Sequence, residues 1–178
     1  MDMPKEAPLY ATTFMEGLRE ADVSIVAALP ESLLGWVYRL CEADPAITYV
    51  PVSNEAEMPG VCAGAYLAGK KSLMIMENSG LRQACEAIAR FSFCHHMPML
   101  MCMSFRGDLG ERNWWGHNHA QTMEPILNAM RIPYRIISKL EDVKPAIRKG
   151  LIHTDSSQWP VALAFTGECV QGGLIAKV

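Results

Sequence analysis

Three short motifs carry the residues best suited to chemistry, and each follows an apolar run. Val52-Ser53-Asn54-Glu55 sets a carboxylate after one run and opens a segment of small residues. Glu77-Asn78-Ser79-Gly80-Leu81 follows the next run, and Ser104-Phe105-Arg106-Gly107-Asp108 a third. If the runs are parallel strands, all three motifs lie on the sheet edge where open α/β sheets bind ligands. Glu55 then has two roles open to it. It can complement a helix dipole, worth about 0.3–1 kcal/mol, or act on a ligand; Glu57 competes for the first role. Asn78 and Ser79 can cap a helix, or the free N–H groups of their turn can meet an anion or a polar ring. Arg106 can hold a carboxylate, sulfonate or phosphonate through paired N–H donors, or pair within its loop with Asp108 or Glu111. His117 and His119, on the same edge, are candidate proton donors. The pairs His95-His96 and His117-x-His119 have no clear acidic companion, so no metal ligand is assigned. A phosphate-cradling Gly-x-x-x-x-Gly-Lys-Ser/Thr is absent, as is a dinucleotide-binding Gly-x-Gly-x-x-Gly after the first strand.

The elements that must position these residues can be read from hydrophobic runs. Strands are expected at residues 23–29, 47–52, 72–76, 99–104, 134–137 and 161–165. They are continuous rather than alternating, as in strands covered on both faces. Helices are expected at 8–21, 32–42, 55–68, 79–93, 120–130 and 141–153. This alternation predicts an α/β fold: a doubly wound, mostly parallel six-stranded sheet with helices on both faces. Ser32 is expected as a helix N-cap, and Gly69-Lys70-Lys71 and Lys149-Gly150 as helix C-terminal signals. Pro98, Pro133 and Pro160 stand just before strands, where a missing N–H is tolerated. After Glu55, Met58, Val61, Cys62 and Ala65 form one helical stripe. Gly60, Ala63, Gly64 and Ala68 form a second, small-residue stripe that suggests close approach by another backbone or a ligand. The loop at residues 105–119, with Trp114 and Trp115, is the longest stretch without periodicity, which points to function.

Bulk properties narrow the classes. The 178 residues suit one domain, half of them hydrophobic and a fifth charged. A net charge of −3 without a basic cluster argues against nucleic acid or an anionic membrane as partner. The six cysteines form no Cys-x-x-Cys pair and mostly sit in apolar runs, which suggests buried, reduced thiols. The N-terminal residues lack the character of a signal peptide, and no apolar run reaches bilayer length. A cytoplasmic protein is expected, with a tail after Cys169 that frays or packs on a partner.

The residues also resemble a known family. Asn54-Glu55, Ala63-Gly64-Ala65-Tyr66-Leu67-Ala68-Gly69-Lys70, Glu77-Asn78-Ser79-Gly80-Leu81 and Ser104-Phe105-Arg106-Gly107-Asp108-Leu109-Gly110 together resemble the pyrimidine-binding domain of thiamin-diphosphate-dependent decarboxylases. The closest likeness is to the α subunit, or N-terminal half, of sulfopyruvate and phosphonopyruvate decarboxylases. Val26-Ala27-Ala28-Leu29-Pro30-Glu31-Ser32-Leu33-Leu34 and Leu127-Asn128-Ala129-Met130-Arg131-Ile132-Pro133 extend the likeness over residues 10–168. The resemblance implies that Glu55 hydrogen-bonds a ring nitrogen of the cofactor's aminopyrimidine and so activates it. Asn78, Ser79 and Gly80 would line the cofactor pocket. Pro30, Ser32, Asn78, Arg106 and His117 or His119 would face a short anionic 2-oxo acid such as 3-sulfopyruvate or 3-phosphonopyruvate. The subfamily has a Gln-His pair where this chain has Gly116-His117-Asn118-His119, which leaves both histidines as alternatives. Trp114-Trp115 also departs from its pattern, and would narrow the pocket or admit a bulkier acid. The family's diphosphate-binding Gly-Asp-Gly is missing. The resemblance therefore implies that residues 1–178 form a single pyrimidine-binding domain. Thiamin diphosphate would be shared with a β subunit carrying the diphosphate-binding domain and Mg²⁺, in an α₂β₂ or larger assembly. The alternatives are a carboligase, or another 2-oxo acid decarboxylase, with the same machinery, and a non-catalytic doubly wound binding or assembly module.

Overall fold

Strands made of unbroken apolar runs need cover on both faces, and the fold supplies it. The computed structural model describes residues 7–171. Six strands form one parallel sheet: β1 (Ile25–Ala28), β2 (Thr48–Pro51), β3 (Ser72–Glu77), β4 (Leu100–Phe105), β5 (Tyr134–Ile137) and β6 (Val161–Thr166). Their order is β2-β1-β3-β4-β6-β5. Among the described residues seven α-helices surround them: α1 (Leu9–Glu20), α2 (Gly35–Ala43), α3 (Met58–Leu67), α4 (Leu81–Ile88), α5 (His117–Ala129), α6 (Val143–Ser157) and α7 (Gly167–Gln171).

Successive side chains of a strand point to opposite faces, so each central strand feeds two cores. Leu73, Ile75, Leu100, Cys102, Leu163 and Phe165 pack with α1, α2, α6 and α7. Met74, Met76, Met101, Met103, Ala162 and Ala164 pack with α3, α4 and α5. The second core is rich in methionine, which fills irregular gaps between closely set helices. Cys41, Cys62, Cys102 and Cys169 are buried, and burial pushes the Cys62 thiol up to about 12. Among the described residues no helix is long and apolar enough to cross a membrane.

Several local expectations are corrected. Ser32 is not an N-cap: the Glu31 carboxylate takes the N–H groups of Leu33 (2.7 Å) and Leu34 (2.6 Å), and α2 starts at Gly35. A carboxylate that reaches both donors displaces a shorter hydroxyl. Lys149-Gly150 does not end a helix. α6 continues to Ser157, and Gly150 lies inside it because a Cβ there would stand 2.7 Å from Leu100 Cδ1. Gly69 does follow a helix end, with φ +67 and Lys70 N–H reaching back to Ala65. The segment after β3 is not one helix but a 3₁₀ turn (Asn78–Gly80), α4 and a π turn (Ala89–Phe93). The small-residue stripe is divided. A Cβ at Gly60 would meet Phe91 Cε2 at 3.6 Å and Ala63 is buried, whereas Gly64 and Ala68 are exposed. α7 had no periodic signal, and the expected loose tail lies largely outside the described residues.

Candidate active site

The switch point comes from connectivity. The chain runs from β1 outward to β2 and returns to β3 on the other side of β1, the arrangement in which open α/β sheets bind ligands beyond the strands' C-terminal ends. The residues after β1, β2, β3 and β4 stand at that edge.

Glu55 opens a 3₁₀ turn (Glu55–Glu57) that leads into α3. Its neighbours take the capping duties: Asn54 Oδ1 accepts the Ala56 N–H at 2.9 Å, and the Glu57 carboxylate accepts from Ser53 N and Oγ. Glu57 thus fills the local structural role and leaves the Glu55 carboxylate without a donor among the described residues. That carboxylate lies on Gly80. A Cβ at Gly80 would meet Glu55 Oε1 at 2.7 Å and Cδ at 2.8 Å, so only glycine leaves room for it.

The turn after β3 ties this carboxylate to a second cluster. Asn78 is 1% exposed and clamps the neighbouring strand end. Its Nδ2 donates to Arg106 O at 2.9 Å, and Arg106 N donates to Asn78 Oδ1 at 3.2 Å. Ser79 Oγ donates to Glu77 Oε1 at 2.8 Å. Arg106 donates through Nη2 to Ser32 Oγ at 2.8 Å and stands 3.7 Å from Glu77 and 3.6 Å from Glu111. Its guanidinium carbon lies 5.3 Å from the Trp115 ring centre, within cation–π range. Of the two loop acids open to Arg106, Glu111 is the partner, and Asp108 is exposed. Burial works against ionisation of Glu111, but the N–H groups of Asn113 and Gly107, with the Arg106 charge, hold its carboxyl below the usual range. Gly107, at φ +92, and Gly116 have no Cβ and let this loop fold tightly around Glu111.

The loop is shorter than its lack of periodicity suggests, because α5 begins at His117. That register separates the two histidines. His119 is buried, with Nδ1 3.1 Å from Glu77 Oε1 and its ring 5.5 Å from Trp115, whereas His117 is exposed. Burial lowers the proton affinity of His119; Glu77 opposes this, and Arg82 and Arg106 add to it. Pro30 is exposed at the end of the β1 turn. Next to it, Glu31 is raised above the usual carboxyl range by burial, against the N–H groups of Leu33 and Leu34. Sequence reasoning gave Glu31 and Glu77 no role in this site. Each stands beside a residue singled out for chemistry, and that adjacency was the only available signal. His95 and His96 are exposed, and among the described residues no three His, Cys, Asp or Glu side chains converge to hold a metal.

The chain is 32% identical over 148 residues to the sulfopyruvate decarboxylase subunit alpha of Methanocaldococcus jannaschii, covering 83% of this chain and 88% of that one. The chain belongs to the sulfopyruvate decarboxylase α-subunit family. Membership makes it a decarboxylase subunit. The Methanothermobacter thermautotrophicus subunit alpha is 35% identical over 119 residues, 67% of this chain and 72% of the relative. A phosphonopyruvate decarboxylase of Streptomyces viridochromogenes is 31% identical over 103 residues, 58% of this chain but only 26% of that longer protein. No family model matches the chain.

Proposed function

We propose that this chain is the α subunit of a thiamin-diphosphate-dependent decarboxylase that removes CO₂ from 3-sulfopyruvate or 3-phosphonopyruvate in the cytoplasm. It supplies the pyrimidine-binding domain; a β subunit supplies the diphosphate-binding domain and Mg²⁺, in an α₂β₂ or larger assembly. The observation that carries this reading is the Glu55 carboxylate, without a donor among the described residues and seated on Gly80, on the turn whose Asn78 grips Arg106.

The residues present fit the cofactor. A carboxylate with no protein donor is an acceptor free for a ring N–H, and the glycine beneath it keeps side-chain bulk away. Glu55 would hold the aminopyrimidine through a ring nitrogen, beside Ser79 and Gly80. When bound, thiamin diphosphate supplies the nucleophilic carbon and the electron sink needed for loss of CO₂. This chain's residues orient the acid. Arg106 presents the positive charge, held in place by Glu77, Glu111, Ser32 and the Trp115 face. His119 is the better-placed of the two histidines for proton transfer, because its ring lies inside the cluster. Asn78 fixes the main chain of Arg106 and thereby its approach to the acid.

The test is decarboxylation of each acid by this chain, with and without its partner, plus thiamin diphosphate and Mg²⁺. Turnover only in the full mixture is expected. No turnover of either acid by the loaded assembly would refute the substrate assignment, and an absence of cofactor binding would favour a non-catalytic module.

A further inference from the structure

Glu77 has no part in the resemblance-based account of the site, yet it occupies the centre of the cluster. It is the last residue of β3, opposite Ser104 of β4. Its carboxylate accepts the Ser79 hydroxyl and lies 3.1 Å from His119 Nδ1 and 3.7 Å from Arg106 Nε. Both of those nitrogens are buried and have no aligned hydrogen-bond partner. Contacts of this kind in a ligand-free site often tighten when the reacting complex forms. A histidine nitrogen that faces a fixed carboxylate keeps its proton, and the other nitrogen is then the one that reacts.

We propose that Glu77 is a positioning residue: its carboxylate holds His119 with a proton on Nδ1 and leaves Nε2 to exchange a proton with the reacting acid or its product. This rests on the decarboxylase reading above. Loss of CO₂ from a 2-oxo acid carboxylate to give an aldehyde consumes one proton. The His119 imidazolium would deliver it from Nε2, and solvent would restore it. Four charged groups act on His119: Glu77 at the end of β3, Arg82 on α4, and Arg106 and Glu111 after β4. Burial and the two arginines disfavour the imidazolium, while Glu77 and Glu111 support it. Removing the Glu77 charge therefore lowers the His119 midpoint.

The experiment is NMR of histidine labelled with ¹⁵N and ¹³C, in the full chain assembled with its partner. His119→Gln identifies the His119 signal among the five histidines. The expected wild-type result is a neutral ring protonated on Nδ1. In Glu77→Gln the midpoint should fall by about one pH unit, the size expected for losing an opposite charge at this range. The matching limb of the kcat profile should move the same way. A neutral ring protonated on Nε2 in the wild type would overturn the proposal, as would an unmoved midpoint in a folded Glu77→Gln protein. If that variant does not fold, the wild-type tautomer alone decides. An assembly with no turnover would count against the decarboxylase reading and leave the tautomer result intact.

Discussion

Gly80→Ala isolates the role of Glu55 without touching its carboxylate. Gly80 has φ −66 and ψ −21, ordinary right-handed helical geometry, so alanine meets no backbone strain. Restricting the unfolded state favours the variant by about 0.4–1 kcal/mol, and displacing Glu55 offsets that gain. The new Cβ, however, would stand 2.7 Å from Glu55 Oε1 and 2.8 Å from Cδ, where ordinary contact begins at 3.4 Å. The Glu55 side chain is the more mobile partner, so it retreats. A retreat of about 1 Å from a productive geometry lowers turnover by about 100-fold. The assay combines steady-state decarboxylation by the assembled, cofactor-loaded enzyme with thermal unfolding of the chain. Glu55→Ala should abolish turnover and leave folding nearly intact. Because both changes act through one carboxylate, the double variant should be no slower than Glu55→Ala alone. Turnover of Gly80→Ala within about threefold of the parent would refute the reasoning, since a displaced Glu55 would then be harmless.

Arg106→Ala should raise KM for the anionic acid more than it lowers kcat. It should also destabilise the chain by about 1–3 kcal/mol, because Glu77 and Glu111 lose their cation; an unchanged KM would remove Arg106 from the substrate site. Gly150→Ala should destabilise by about 1 kcal/mol, since overpacking against Leu100 costs about 1–3 kcal/mol and alanine regains roughly 1 kcal/mol of helix propensity. Urea unfolding that showed a more stable variant would mean α6 is not packed this tightly on β4. Asp44 accepts the Ala46 N–H and two bonds from Arg19, and these hold its carboxyl below the ordinary 3.8. A depressed carboxyl contributes stability above its unfolded value and loses it as pH falls through the folded one. Asp44→Ala should therefore destabilise the chain near neutrality, by an amount that starts to fade as pH falls below about 4 and is lost only below the depressed folded value. A gap that persisted at about pH 2 would point to packing instead.

The parallel α/β arrangement was legible because its cause is local. Unbroken runs such as Leu73-Met74-Ile75-Met76 can be stable only under cover on both faces, and the spacing of the runs leaves helices between them. The ligand edge followed, since parallel strands put Glu55, Asn78 and Arg106 at corresponding ends. Helix limits were less legible where a competing group or a close approach outweighed propensity. Glu31 took the donors expected to go to Ser32, and Gly150 answers to Leu100 across the helix rather than to chain termination.

By itself, then, the sequence determined the strand–helix alternation, the edge on which the candidate site residues gather, and the family. Only tertiary structure decided which acids at that edge are held by local bonds and which are left free. Glu55 and Glu57 are two residues apart and chemically alike; Ser53 engages one, and Gly80 makes room for the other. His117 and His119 differ as little in sequence. The register of α5 turns one to solvent and the other toward Glu77, which lies 42 positions earlier in the chain. Such choices depend on contacts between residues distant in sequence, and no local pattern encodes them.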